Sequence, residues 1–200
     1  QFTNFDHNDA NGLGTAILTP QDPLTGLDQL AASIKAAGIT SITGEIAVDD
    51  RLFEAFRVPN GNLLITPMML NENQIDVSVT PTAVGGPATV EVRPTTGFFS
   101  VTANVTTAAA GAPTTVDFSG NRLTSGVGGV GTVQGSIPLD YRAPLSKSGS
   151  LVGTFRVEDP NSFARTAFIE ALRRQGIAVA ATAVAANPVS TSSRLISRLR

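Results

Sequence analysis

Two stretches of this chain share one grammar, and together they limit the folds open to it. "QDPLTGLDQLAASIKAAGI", residues 21–39, and "VEDPNSFARTAFIEALRRQGIAV", residues 157–179, both open on Asp-Pro, run at helical period and close on Gly-Ile. Proline suits a first helical position because the amide it lacks has no partner inside the helix. Glycine supplies the left-handed stop. In the first unit Asp22 is the expected N-cap, and Leu27, Leu30, Ala31 and Ile34 share a helical face. In the second, Asp159 is the cap, and Phe163, Ala167, Phe168, Ala171 and Leu172 form the apolar stripe. Arg165, Glu170, Arg173 and Arg174 fall mostly off that stripe and read as a solvated face. Strand candidates flank both helices: Gly14–Thr19 and Glu45–Val48 for the first, Thr154–Val157 and the residues after Gly176 for the second. Strand-helix-strand units of this size favour parallel pairing with a right-handed crossover.

Between the units the period falls to two. "IDVSVTP", "ATVEVRP", "FSVTANVTT", "TTVDFSG" and "TVQGSIP" are short alternating or β-branched runs divided by turn residues. The expected fold class is therefore α/β plus all-β: a discontinuous α/β sandwich domain, residues 1–75 and 141–200, with a small β-rich domain, residues 76–140, inserted into it.

Composition narrows the functional classes. A 42% hydrophobic content supports a core, and a net charge of −2 gives no polyelectrolyte footprint, so a nucleic-acid partner is not expected. Cysteine is absent, which removes disulfides and thiolate metal sites and gives a weak indication of an extracytoplasmic bacterial setting. The longest small-apolar run, Ile177–Ala186, is far short of a bilayer-spanning helix. No basic and apolar export leader stands at Gln1, so an export signal is expected to have been removed or to lie upstream. "RLISRLR", residues 194–200, has the spacing of a helix beginning.

The candidate chemical groups are each outweighed by a structural reading. His7 is the only histidine, set among Asp6, Asp9, Asn4 and Asn8, and one imidazole in a polar leader supplies too little geometry for a metal. Asp49, Asp50 and Glu54 follow a strand candidate, where open α/β sheets often bind ligands, but they equally cap a turn or pair with Arg51 and Arg57. "VGGVG", Val127–Gly131, lacks the following Lys-Ser/Thr and helix of a phosphate loop and reads as a hairpin turn. "SGN", Ser119–Asn121, and "KSG", Lys147–Gly149, match two of the three signatures of penicillin-recognising serine enzymes. The third, S-x-x-K, carries the nucleophile, and it is missing: Ala32 and Pro144 stand three residues before the only lysines, Lys35 and Lys147. No catalytic, cofactor-binding or metal-binding residue is assigned, and no cofactor is expected.

"LAASIKAAGITSITGEIAVDDRLF", "LNENQIDVSVTP", "ATVEVRP" and "VEDPNSFARTAFIEALRRQGIAV" resemble, in order, consecutive blocks of the class C low-molecular-mass penicillin-binding proteins, the serine D-alanyl-D-alanine carboxypeptidase/endopeptidase family. "TPQDP" departs from the Gly-Gly-Asp-Pro usual there. In that family a long insertion, an α/β domain with a β-rich domain set inside it, separates S-x-x-K from S-x-N. The resemblance is to that insertion, so the family's catalytic residues have no counterparts here, and "SGN" and "KSG" stand in the wrong blocks. It implies a non-catalytic accessory region of an exported enzyme that remodels peptidoglycan, located in the periplasm or cell wall. Its partners would be the catalytic domain of the parent chain and peptidoglycan. A free-standing cell-wall-associated binding protein is the alternative. A metal- or nucleotide-dependent α/β enzyme relies only on Asp49, Asp50 and fold analogy.

Overall fold

The structure is a computed structural model that describes residues 18, 21–59, 63–124 and 128–188, with the backbone alone for 120–124. In chain order its elements are α1 (Thr25–Ala36), β1 (Ser41–Ile42), β2 (Phe56–Arg57), β3 (Leu64–Ile65), β4 (Gln74–Thr80), β5 (Thr89–Arg93), β6 (Phe99–Ala108), β7 (Asp117–Thr124), β8 (Gly128–Pro138), β9 (Leu151–Arg156), α2 (Pro160–Arg174) and β10 (Ala178–Val179). The strand candidate Gly14–Thr19, except for residue 18, and the stretch 194–200 lie outside the described residues.

The two helices end alike and begin differently. Ile39 N–H donates to Ile34 O and Gly38 N–H to Lys35 O; Ile177 N–H donates to Leu172 O and Gly176 N–H to Arg173 O. This pair of bonds is the Schellman closure, and it requires the left-handed backbone that Gly38 (φ 87°) and Gly176 (φ 72°) supply. At the start of α2, Asp159 Oδ1 accepts from Ser162 N–H at 3.1 Å with Pro160 in the first turn, as expected. Asp22 does not cap α1: its Oδ1 accepts from Leu24 N–H at 2.8 Å, folding a turn ahead of a helix that begins at Thr25. A short Asp side chain satisfies whichever amide the local turn presents, so the dipeptide alone leaves the first residue of the helix open.

The twin units dock side by side. Leu27 and Ala31 of α1 are buried in one core with Phe163, Ala167, Ala171 and Leu172 of α2, while Leu30, Ile34 and Phe168 are half-buried. Arg174 Nη2 meets Asp28 Oδ1 at 2.7 Å and Lys35 Nζ donates to Gly176 O at 3.1 Å across the helix pair. The strands that follow, β1 and β10, then pair in parallel, Ser41 with Ala178 and Ile42 with Val179.

The parallel pairing is between the units, not inside the second one: β9 and β10, on either side of α2, lie in different sheets. β9 instead pairs antiparallel with β4, whose other neighbour is β5, also antiparallel. A second three-stranded sheet has β8 at its centre, parallel to β6 and antiparallel to β7. The two sheets meet through rings laid on bare glycine backbone. A methyl group on Gly131 of β8 would stand 2.6 Å from the Phe155 ring of β9, and one on Gly153 of β9 would stand 2.5 Å from the Phe118 ring of β7. Phe155 also packs against Phe99 and Phe118, with ring centres 5.2 and 6.2 Å away. The glycines of "VGGVG" are therefore strand residues: Gly128–Gly131 open β8, contrary to the expected hairpin turn.

Glu45–Val48, expected as a strand, has no strand ladder. Its backbone groups bond to side chains: Asn187 Oδ1 accepts from Val48 N–H at 2.8 Å, Asn187 Nδ2 donates to Val48 O at 2.9 Å, and Arg165 Nε donates to Ile46 O at 2.8 Å. A side-chain amide that both gives and takes reproduces a strand neighbour at one residue, so the extended chain is held without one.

Candidate functional site

The expected acidic turn is drawn into a structural network at the start of α2. Arg51 clasps Asp49 through two contacts, Nε to Oδ1 at 2.8 Å and Nη2 to Oδ2 at 2.6 Å, and this pairing holds the guanidinium above its ordinary pKa. Asp50 Oδ2 accepts from Asn161 Nδ2 at 2.6 Å. These residues, with Val48, Asp159 and Asn187, line an open hollow of about 230 Å³. Glu54 is exposed. Among the described residues no group of His, Cys, Asp and Glu has the geometry of a metal site. His7 lies outside them.

The two penicillin-enzyme look-alikes fall in different kinds of structure. Ser119 sits inside β7 opposite Thr132, and the register slips between Ser119 and Arg122, so "SGN" marks an irregularity within a strand. Lys147 lies in the connection from β8 to β9 at φ 59°, its Nζ donating to Pro144 O at 2.6 Å. One motif is ladder and the other is loop, and the lysine amine is bonded inside its own turn.

Arg165 corrects the expectation of a solvated helix face most sharply, being only 1% exposed. Its guanidinium gives Nε to Ile46 O (2.8 Å), Nη1 to Thr182 O (2.8 Å) and Ala183 O (3.1 Å), and Nη2 to Glu45 Oε2 (2.6 Å). The planar fork is what lets one side chain tie two separate strands of backbone together. Arg173 and Arg174 are exposed, as expected, although Arg173 Nη2 donates to Ala181 O at 2.7 Å, and half-buried Glu170 accepts from Gly97 N–H through Oε1 at 2.9 Å. The available signal was Ser162, Thr166 and Ile169, which are buried with Arg165 and give α2 a second inward face at helical spacing.

A second buried charge also escaped the sequence. Asp76 in β4 is fully buried, with Asn71 Nδ2 at 3.1 Å from Oδ2 and Arg93 Nε at 3.6 Å. Burial pushes its carboxyl up from 3.8 to about 6, against the opposing pull of Asn71 and Arg93. Asn71 belongs to a turn in which Asn71, Glu72 and Asn73 all have positive φ (50°, 53° and 56°). Asn73 holds that turn by donating to Leu64 O at 2.8 Å and to Thr66 Oγ1 at 3.1 Å. Asparagine tolerates this backbone better than most residues. "LNENQ" was thus a readable signal for a special turn ahead of β4.

The third feature is apolar and exposed. Leu52 is 83%, Phe53 42% and Phe56 56% accessible. Phe56 faces Ile65 across the β2–β3 pair, and Ile65 lines a groove of about 480 Å³ with Leu63, Met68 and Met69.

Comparison with known proteins places these features in context. The chain is 27% identical, over 184 residues, to a D-alanyl-D-alanine carboxypeptidase of Actinomadura sp. (strain R39), a match covering 84% of this chain and 31% of that protein. Penicillin binding protein 4 of Haemophilus influenzae has a similar fold, with a TM-score of 0.51 at 17% identity over 83% of this chain and 36% of the other. The same protein complexed with a β-lactam gives a TM-score of 0.46 at 18% identity, over 79% and 33% of the two chains. This chain thus spans about a third of the length of the proteins it matches. The sequence pattern of the D-Ala-D-Ala carboxypeptidase 3 (S13) family matches residues 9–199, nearly the whole sequence, and the chain belongs to that family.

Proposed function

We propose that this chain is the non-catalytic accessory region of an exported serine D-Ala-D-Ala carboxypeptidase/endopeptidase acting in peptidoglycan remodelling, in the periplasm or cell wall. The observation that carries the reading is a contrast: family membership extends over residues 9–199, yet the sequence contains no S-x-x-K. A span of 31% of the Actinomadura relative leaves room in such an enzyme for a separate penicillin-binding part. The side chains described above support it further, since Asp49, Arg51, Lys147 and Arg165 are all engaged in structural bonds.

In this reading residues 1–75 and 141–200 form the discontinuous α/β domain and residues 76–140 the inserted β-rich domain, with β4 and β9 as the strands that join the two. The pairing of β1 with β10 and the docking of α1 on α2 favour a domain completed from both flanks. Peptidoglycan is a further partner in this reading.

Fluorescent penicillin is the direct test. The 200-residue chain should remain unlabelled, while the full-length polypeptide that carries it should be acylated at a serine outside these residues. Covalent labelling of the 200-residue chain would sink the reading. A reading frame with no S-x-x-K upstream and no S-x-N or K-T-G downstream would favour a free-standing binding protein, and retention on purified peptidoglycan at low salt would then identify its ligand.

A further inference from the structure

The charged side chains of this molecule differ in how completely their partners use them. Arg51 and Asp49 form a closed fork, with Nε on Oδ1 at 2.8 Å and Nη2 on Oδ2 at 2.6 Å. The Arg174–Asp28 pair is open by comparison, because Nε at 3.1 Å and Nη2 at 2.7 Å both reach the same oxygen, Oδ1. Arg174 Nη1 and Asp28 Oδ2 make no hydrogen bond among the described residues. Asp22 is also half-used: its Oδ1 accepts from Leu24 N–H, and its Oδ2 makes no hydrogen bond among the described residues.

These groups share one hollow. Asp22, Asp28, Arg93, Thr95 and Arg174 line an open space of about 450 Å³, with Leu24 adding apolar surface. They come from the start of α1, the end of β5 and the end of α2, so the hollow lies where the helix pair meets the sheet of β4, β5 and β9. Junctions of this kind are favoured ligand positions, and the volume is that of a small-molecule pocket. Arg93 is fixed from the sheet side, its Nε 3.6 Å from the buried Asp76 Oδ2. Thr95 Oγ1 donates to Val92 O at 3.0 Å and keeps the capacity to accept. Two carboxylates and two guanidinium groups balance in the lining, so a simple anion or a simple cation gains little net attraction. A ligand that carries both signs satisfies both sets at once, its carboxylate on the arginines and its ammonium on the aspartates and Thr95.

We propose that this hollow binds a zwitterion, an amino acid or short peptide that presents a free carboxylate and a free ammonium together. The source of the ligand rests on the parent-enzyme reading above: an enzyme that hydrolyses D-Ala-D-Ala releases D-alanine, a zwitterion, and works among peptides of the same chemistry. The charge pattern of the lining stands apart from that reading.

The test titrates the 200-residue chain with the dipeptide D-Ala-D-Ala and with its N-acetylated and C-amidated forms, which lack the ammonium and the carboxylate respectively, and follows amide NMR shifts. Shifts should gather at residues 22–28, 93–95 and 174, and each capped form should bind about tenfold more weakly than the free dipeptide, or worse. Arg174→Gln should weaken the free dipeptide about tenfold and leave the amidated form unchanged. Asp22→Asn should weaken the free dipeptide and leave the N-acetylated form unchanged. Variants that move all three ligands alike would show a structural role only and overturn the proposal. Equal binding of the three forms, or no shifts at about 10 mM dipeptide, would also overturn it, and that result needs no variant to fold. Purified peptidoglycan separates the sources. Retention of the chain that excess dipeptide releases assigns wall peptides, and dipeptide binding without retention assigns a soluble amino acid or peptide; both support the zwitterion site. Fluorescent penicillin keeps the two readings distinct: a labelled full-length polypeptide with no dipeptide binding loses the site and keeps the parent enzyme, whereas an unlabelled one with charge-selective binding keeps the site and loses its assigned source.

Discussion

The β-rich and helical regions solve the same problem by opposite means. In the sheet of β6, β8 and β7, backbone groups satisfy one another: β6 alone makes ten registered pairs with β8, from Phe99–Gly129 to Ala108–Pro138. Beside the two helices the parallel pair of β1 and β10 is two residues long, and the extended chain at 45–48 meets no ladder. There, side chains do the work of strands, with Arg165 and Asn187 supplying the donors and acceptors. A buried carbonyl costs free energy when it lacks a partner, whichever kind of partner it loses. The lesson is that stability in the helical region is concentrated in a few replaceable side chains, whereas in the sheets it is spread over backbone that no single substitution removes.

The largest test of that contrast is Arg165→Ala. It removes the donors to Ile46 O and Thr182 O, leaves Ala183 O to Thr166 Oγ1 and strips Glu45 of its partner. A loss of about 3–5 kcal/mol is expected, read as a lower urea midpoint. Arg165→Lys keeps the charge without the fork and should recover only part of it. A change below about 1 kcal/mol would mean that these carbonyls find water or new partners at little cost, and the contrast between the regions would fail.

Next is a charge that the sheet region itself buries. Asp76 has its carboxyl raised in the folded state, first by burial, from 3.8 to about 6. The folded protein therefore holds this proton more tightly than the unfolded chain does. Its effect on stability is most favourable below about pH 4, declines as pH climbs to about 6 and is flat above, with a full swing of at most about 3 kcal/mol. Urea midpoints at about pH 4 and about pH 7 should show this decline in the native protein and a smaller one in Asp76→Asn. An unchanged slope in the variant would move the pH dependence to other groups.

Smaller again is the cost of a methyl group where the sheets meet. Gly153→Ala would place Cβ 2.5 Å from the Phe118 ring, and a loss of about 1–3 kcal/mol is expected from the forced displacement. Phe118→Leu in the same chain should recover part of it, and the double-mutant cycle measures the coupling. This contact also marks the limit of what the sequence reveals. Helix ends were legible because Gly38 and Gly176 do a local job, and the short β-branched runs were legible because period two is a local pattern. That Gly131 and Gly153 are seats for Phe155 and Phe118 was not legible, since each ring comes from a distant strand. The same holds for partners: periodicity in "TFRV" announces a strand but not that it pairs antiparallel with β4 instead of parallel with β10. Arg165 was hidden for a related reason, because the backbone it binds, at 46 and 182–183, is far from it in sequence.

The smallest effect comes from the feature the two helical units share in sequence and do not share in structure. Asp159→Ala removes the acceptor for Ser162 N–H at the first turn of a helix that is largely buried as far as Leu172. About 1 kcal/mol is the usual cost of such a lost cap. Asp22→Ala removes the acceptor for Leu24 N–H, which lies ahead of α1, and Asp22 is exposed, so water replaces the bond readily. A few tenths of a kcal/mol are expected there. Equal losses for the two would mean that the Asp22 turn directs the entry of α1 as strongly as a cap does, making the units alike in energy as well as in sequence. Unequal losses in the stated order, measured as urea midpoints in one buffer, would assign the difference to where the bonded amide sits: inside the helix at Ser162, outside it at Leu24.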